Sequence, residues 1–323
     1  MNSITRRRAI ALLTALAILP SGVALAVGGR ADGRPKEFRI GFQKIGVLVV
    51  ARQRRAIERR LGGLGIAVKW VEFASGPPLL KALDAGRIDF GFTGDTPPIF
   101  AQAAGARLVY VAALPSNGAG EAVIVRSDGP IRALADLRGK RIAFTAGSSA
   151  SNLTIVALEK AGLGLGDVTP VHLDPAAARA AFAAGSIDAW TIWDPFLAMA
   201  QQRFRPRVLV TSADILQVNT FFIANRGFAA RHPSVLVEVL DALAEAARWA
   251  EANHDKVARA LAEVTGIGLA AQTVAAGRAH FAVFPLDDAI VARQQATADR
   301  LFRLGLIPAA IAIRDAAWSP PRN

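Results

Sequence analysis

Cysteine is absent from the chain. That absence excludes disulfide staples, thiolate metal ligands, a cysteine nucleophile and the lipid-modified cysteine of an exported lipoprotein. Aromatic residues are few, at 7%, and none is interleaved with the densest basic run, Arg52 to Arg60, as base-stacking platforms would be. The four histidines, His172, His232, His254 and His280, are far apart and never fall at the i, i+4 spacing that puts two metal ligands on one helix face. No Gly-x-Ser-x-Gly elbow, P-loop or Gly-x-Gly-x-x-Gly occurs, so acyl transfer, nucleotide hydrolysis and dinucleotide chemistry have no sequence support. Beyond the N-terminus no apolar run approaches the 18 or so residues of a membrane span.

What is there suits a packed protein. The 323 residues allow about two domains, and 52% hydrophobic against 20% charged residues is far from a disordered composition. The formal charge is +12, which by itself fits nucleic acid, an anionic surface or small anionic ligands. The basic run reads as the solvated face of a helix.

The first 26 residues form a separate segment. Arg6-Arg7-Arg8 precedes the apolar run Ala9 to Leu19, and Ala24-Leu25-Ala26 offers small residues for signal peptidase. Residues 1–26 are therefore expected to be a cleaved export signal, by either the general or the twin-arginine route. Cleavage removes three arginines and no acid, leaving +9.

From Phe38 to about Thr211 strand-like runs (Phe38 to Phe42, Ala67 to Phe73, Ile88 to Phe92) alternate with helical patterns (Val47 to Leu61, Pro78 to Asp84). This is βαβ patterning and predicts mostly parallel, doubly wound α/β sheets. Past Pro233 the spacing is helical throughout: Val235 to Ala252, Lys256 to Val264, Ala270 to Ala279 and Ala289 to Leu304. Ala85-Gly86-Arg87-Ile88-Asp89 is echoed by Ala184-Gly185-Ser186-Ile187-Asp188, as two lobes of similar topology would produce. The expected division is a first lobe over 27–125, a second over 126–218, and a return to the first over 219–323. Two crossings between lobes make a hinge.

Three polar clusters sit at predicted strand ends, where α/β sheets place ligands. Thr93-Gly94-Asp95-Thr96-Pro97-Pro98 follows Phe90 to Phe92, and Asp95 or Thr96 there is positioned to cap the helix opening at Pro97 or Pro98. Gly147-Ser148-Ser149-Ala150-Ser151-Asn152 opens a helix whose free N–H groups and hydroxyls suit an oxyanion such as a sulfonate. In Trp190-Thr191-Ile192-Trp193-Asp194-Pro195 strand alternation sends the tryptophans to opposite faces, so one packs while the other is free to line a cleft. Asp194 is placed to cap the next helix. A carboxylate at 95 or 194 would repel an anion unless bonded to backbone or to a cation.

In this order and after an export signal, these clusters resemble the aliphatic sulfonate-binding proteins of bacterial ABC importers, within the nitrate, sulfonate and taurine group. The likeness extends to Arg39-Ile40-Gly41-Phe42-Gln43-Lys44, to Trp70-Val71-Glu72-Phe73, and to Ile313-Arg314 with Trp318; its most specific stretch is Gly91 to Gly105. It implies a periplasmic two-lobe, two-crossover binding protein that is a monomer, has no catalytic activity, cofactor or metal, and presents its ligand to a permease with its ATPase. It implies ligand-binding roles for Gln43, Thr93, Gly94 and Asp95 from the first lobe. From the second it implies Ser148, Ser149, Asn152, Trp190, Trp193 and Asp194, with the two aspartates holding loops or latching lobes. Two departures touch the anion end: Gln43-Lys44 runs directly into Ile45-Gly46 without the family's usual insertion, and Ala150-Ser151 follows Ser148-Ser149 where histidine is frequent. Taurine, nitrate and vitamin precursors stay open as ligands, as do an enzyme or a ligand-sensing domain as classes.

Overall fold

The computed structural model describes residues 33–217 and 219–321, so the export signal expected over 1–26 lies outside the described residues. From Arg34 onward the chain is one compact unit carrying two five-stranded sheets. The first sheet contains β1 (Glu37–Phe42), β2 (Ala67–Glu72), β3 (Phe90–Thr93), β4 (Leu108–Pro115) and the late strand β10 (Asn219–Asn225), in the order β2-β1-β3-β10-β4. The second contains β5 (Glu121–Val125), β6 (Arg141–Phe144), β7 (Thr169–His172), β8 (Ala189–Trp193) and β9 (Arg207–Thr211), in the order β7-β6-β8-β5-β9.

The two orders superimpose strand for strand. In each sheet three strands are parallel, and a fourth, β10 or β5, inserts antiparallel between the third and the edge. The sheets are thus mixed, with parallel pairing confined to the βαβ halves. All five residues of β5 are buried, and β8 and β9 flank it on both sides. It therefore belongs to the second sheet, although the sequence reading ends the first lobe at 125: the chain crosses between sheets over 116–120.

The echo has a physical cause. Gly86 (φ +66°) and Gly185 (φ +68°) each close a helix in the left-handed conformation, which costs glycine little. Asp89 then accepts bonds from the Arg39 backbone N–H (2.9 Å) and guanidinium (2.7 and 3.0 Å). Asp188 does the same for Arg141 (2.8 Å from the backbone, 3.0 and 3.1 Å from the guanidinium). Each aspartate ties the first strand of its βαβ unit to the third.

Helices α1 (Val47–Gln53) and α2 (Ala56–Gly62) connect β1 to β2, α3 (Gly76–Asp84) connects β2 to β3, and α4 (Thr96–Ala103) leads to β4. In the second sheet α5 (Ser149–Lys160), α6 (Pro175–Ala184) and α7 (Phe196–Phe204) follow β6, β7 and β8, and α8 (Ser212–Ile215) precedes the return to β10. The pattern Val47 to Leu61, expected as one helix, breaks at Arg55, which is left-handed (φ 53°). Three of the arginines near the break are half-buried against other elements. Arg52 lies over Phe42, Arg54 over Trp249 at 4.0 Å, and Arg60 faces Glu238, Asp241 and Glu245. Arg54 and Arg60 thus dock the acidic helix α10, while Arg55 and Arg59 stay exposed, so the run is part seam and part the solvated face expected from the sequence.

The last third is helical, with α9 (Arg226–Arg231), α10 (Pro233–Glu251), α11 (His254–Thr265), α12 (Leu269–Arg278) and α13 (Asp288–Arg303). α10 buries Val235, Leu236, Val239, Ala242, Leu243 and Ala246 at helical spacing and packs on α1 and α2. Each buried leucine or valine there contributes about 1.5–3 kcal/mol. α12 packs against α11 on one side and α7 on the other. Among the described residues no helix is long and apolar enough to cross a membrane.

Candidate functional site

The carboxyl ends of β1, β3 and β8 and the start of α5 open on one cavity of about 190 Å³. Because β5 and β10 run antiparallel to their neighbours, their first residues, Glu121 and Asn219, reach the same place. α12 and the segment after it close another wall with Gln272, Arg278 and Phe281. Phe92, Trp193, Leu261 and Phe281 supply apolar surface.

Three buried polar atoms on this cavity have no hydrogen-bond partner among the described residues: Thr93 Oγ1, Glu121 Oε1 and Asn219 Nδ2. Leaving one such group unpaired costs about 1–3 kcal/mol, so three on one cavity, from both sheets, mark a surface built for a polar ligand. The chain makes room for Thr93 by having glycine at 76, where a Cβ would lie 2.1 Å from the threonine hydroxyl. Gly94 serves closeness too: a Cβ there would stand 3.1 Å from Ser149 Cβ, so the β3 loop touches the start of α5.

Eight of the sequence-nominated residues line the cavity: Gln43, Thr93, Gly94, Asp95, Ser148, Ser149, Trp193 and Asp194. Gln43 spends its amide N–H on the Phe92 carbonyl, 3.0 Å away, holding the β1 loop against β3. Ser148 donates to the Thr145 carbonyl at 2.6 Å, so it shapes the turn before α5. Trp190 is a correction. It is 1% exposed and packs on Phe182 in the core beneath β8, while Trp193 on the opposite strand face lines the cavity. Asn152 is fully buried behind the site and donates to Asp95 Oδ2 at 2.9 Å.

Asp95 does not cap α4; its side chain makes no such bond. Its oxygens accept from Thr96 Oγ1 and Asn152 Nδ2, each at 2.9 Å, and its backbone carbonyl from Gln294 at 2.6 Å. Since Asn152 belongs to α5, this carboxyl joins the two sheets' loops. Burial pushes the Asp95 carboxyl above the ordinary range, against the pull of those two donors. Asp194 does cap, accepting from the Ala198 N–H at 2.9 Å. Burial pushes it up as well, and the Arg278 guanidinium, 3.2 Å away, pulls it down.

Sequence reasoning missed Glu121, Asn219, Gln272 and Arg278. Arg278 ends a helix, where a cation is ordinary complement to the dipole. Glu121 did leave a signal, a lone acid between the glycines of a crossing and the wholly apolar Ala122 to Val125.

The NMT1/THI5-like family model matches residues 63–257. The chain belongs to this family. A curated relative from Escherichia coli strain K12, named for binding aliphatic sulfonates, is 39% identical over 310 residues, 95% of each chain. The alkanesulfonate-binding protein SsuA of Xanthomonas axonopodis pv. citri, solved bound to MOPS, is similar at 40% identity with a TM-score of 0.83, covering 88% of this chain and 98% of that one. The periplasmic aliphatic sulphonate binding protein SsuA of Escherichia coli is similar at 38% identity and a TM-score of 0.81, covering 90% and 94%. The desulfurization enzyme DszB, at 20% identity and a TM-score of 0.65, shares the fold alone.

Proposed function

We propose that this member of the NMT1/THI5-like family is an exported, periplasmic solute-binding protein that captures aliphatic sulfonates between its two lobes. It acts as a monomer and delivers them to an ABC permease with its ATPase, supplying sulfur. The observation that carries this reading is one cavity holding both the unpartnered Thr93, Glu121 and Asn219 atoms and an apolar wall with Trp193. An alkanesulfonate has the matching halves: three oxygens for the donors and a hydrocarbon tail for the wall. The start of α5 at Ser149 adds helix-end N–H groups that favour an anion without a formal charge. Closing the two sheets' loops over the ligand removes water and strengthens each bond. The relatives named for alkanesulfonates support the same ligand class.

An enzymatic reading has little to stand on. Cysteine is absent, the Ser148 hydroxyl is spent on a backbone carbonyl, and the acid that Ser149 bonds, Glu121, is buried and favours its neutral form, which is no base.

Isothermal calorimetry of residues 27–323 with pentanesulfonate, sulfate and taurine tests the proposal. Saturable heat with pentanesulfonate, and weaker or none with sulfate, is expected. No heat with any alkanesulfonate at millimolar concentration, from protein folded by circular dichroism, overturns it.

A further inference from the structure

Glu121 is the first residue of β5, placed opposite Trp193 of β8. It is 9% exposed, lines the cavity, and its Oε1 is buried without a partner among the described residues. The charged groups around it are already committed. Arg278 from α12 is bonded to Asp194 and Gln201. Lys44 after β1 reaches Glu72 and the Thr265 carbonyl. His280 beyond α12 pairs with Glu251. Asp95 of the β3 loop has the same sign as Glu121 and opposes its ionisation.

We propose that Glu121 meets the solute as a neutral carboxylic acid and donates its O–H to the ligand's oxyanion, setting the cavity's preference for anions. The proposal rests on the reading that the ligand is an oxyanion. A carboxylate buried without a cation costs more than its protonation, and the neutral acid gains the one donor that a carboxylate lacks. Burial first, then Asp95, pushes the Glu121 carboxyl up to about 8, with a Ser149 hydrogen bond opposing. The group is raised, so the donor form is complete well below that value and is lost as pH rises through it.

The test is calorimetry with pentanesulfonate, whose charge is constant over the range, at pH 6, 7, 8 and 9, on wild type and Glu121→Gln. If the protonated form alone binds, a value of about 8 makes the wild type roughly tenfold weaker at pH 9 than at pH 6. Glu121→Gln cannot titrate, and its profile is expected to be flat to within about twofold. A flat wild-type profile overturns the proposal, and so does an equal slope in the variant, which would assign the titration to Asp95 or Asp194. Taurine binding that strengthens with pH and vanishes in the variant also overturns it, since an ionised Glu121 would then be holding an ammonium. Absence of binding at every pH overturns both this proposal and the oxyanion reading.

Discussion

Arg278 can be removed as a charge while its stem is kept, by Arg278→Met. Its Nη1 lies 3.3 and 3.2 Å from the two Asp194 oxygens and its Nη2 2.6 Å from Gln201 Oε1. The variant leaves Asp194 buried with the Ala198 N–H as its remaining donor. Losing one partner of a fully buried ion pair costs about 3–5 kcal/mol. The Arg278 side chain is 25% exposed against 9% for Asp194, and solvent screening at that end brings the expected loss to about 2 kcal/mol. For a chain of this size that is a fall in Tm of about 3 °C. The sign of the pH dependence follows from Asp194, whose carboxyl is held above its ordinary value by burial and pulled down by Arg278. Without the arginine it rises further, so the native state binds the proton more tightly than the unfolded chain. The deficit is then small below the ordinary carboxylate range and grows as pH rises through the folded-state value. Thermal unfolding followed by circular dichroism at pH 5, 6, 7 and 8 reads this directly. The gap between variant and wild type should widen from pH 5 to pH 7, and the double variant Asp194→Asn with Arg278→Met should recover part of it. A gap below about 1 °C, or one that does not change with pH, would refute the reasoning.

Asn152→Ala deprives the buried Asp95 of one of its two side-chain donors and is expected to cost about 2 kcal/mol in urea unfolding. The two tryptophans should separate cleanly. Trp190→Ala, in the core, should lose about 3–5 kcal/mol of stability. Trp193→Ala should instead weaken pentanesulfonate binding about tenfold by calorimetry, with a far smaller change in Tm. Gly94→Ala places a Cβ 3.1 Å from Ser149 Cβ and 3.3 Å from its Oγ, so affinity should drop several-fold while unfolding stays close to wild type.

The βαβ units were legible because each needs only local signals. The glycine that ends α3 or α6, the aspartate three residues later and the apolar strand that follows it repeat in both sheets. The four long C-terminal helices were legible from spacing, within a residue or two at most of their ends. The placement of β5 was not, because a strand of five buried residues reads the same in either sheet, and only its pairing with β8 and β9 decides. The break at Arg55 was equally hidden: Arg54 and Arg60 are drawn to Trp249 and to the acids of α10, which lie about 180 residues on. At the site, strand alternation in Trp190 to Trp193 left one tryptophan for the cavity, and the resemblance then put both there. The buried face of β8 accounts for the difference. Arg278, Asn219 and Glu121 come from three distant segments, and no spacing within the sequence joins them.

A protein reading as an anion binder has three carboxyls, Asp95, Glu121 and Asp194, on its cavity, an apparent contradiction that the geometry resolves residue by residue. Asp194 is matched by Arg278 and by a helix N–H, so it contributes little net field. Asp95 turns both oxygens to Asn152 and Thr96, and burial disfavours its ionised form. Glu121 is buried with no cation, which favours the neutral acid. The cavity therefore tolerates a negative ligand because its acids are paired, occupied or neutral, and the protein's overall positive charge is not needed to explain it. Screening limits that overall charge to a range of about 8 Å at physiological salt, where it affects capture rate more than selectivity. It follows that Arg278→Met should weaken pentanesulfonate binding as well as folding, by freeing one negative charge beside the ligand. A variant that adds a surface charge far from the cavity should change the association rate alone.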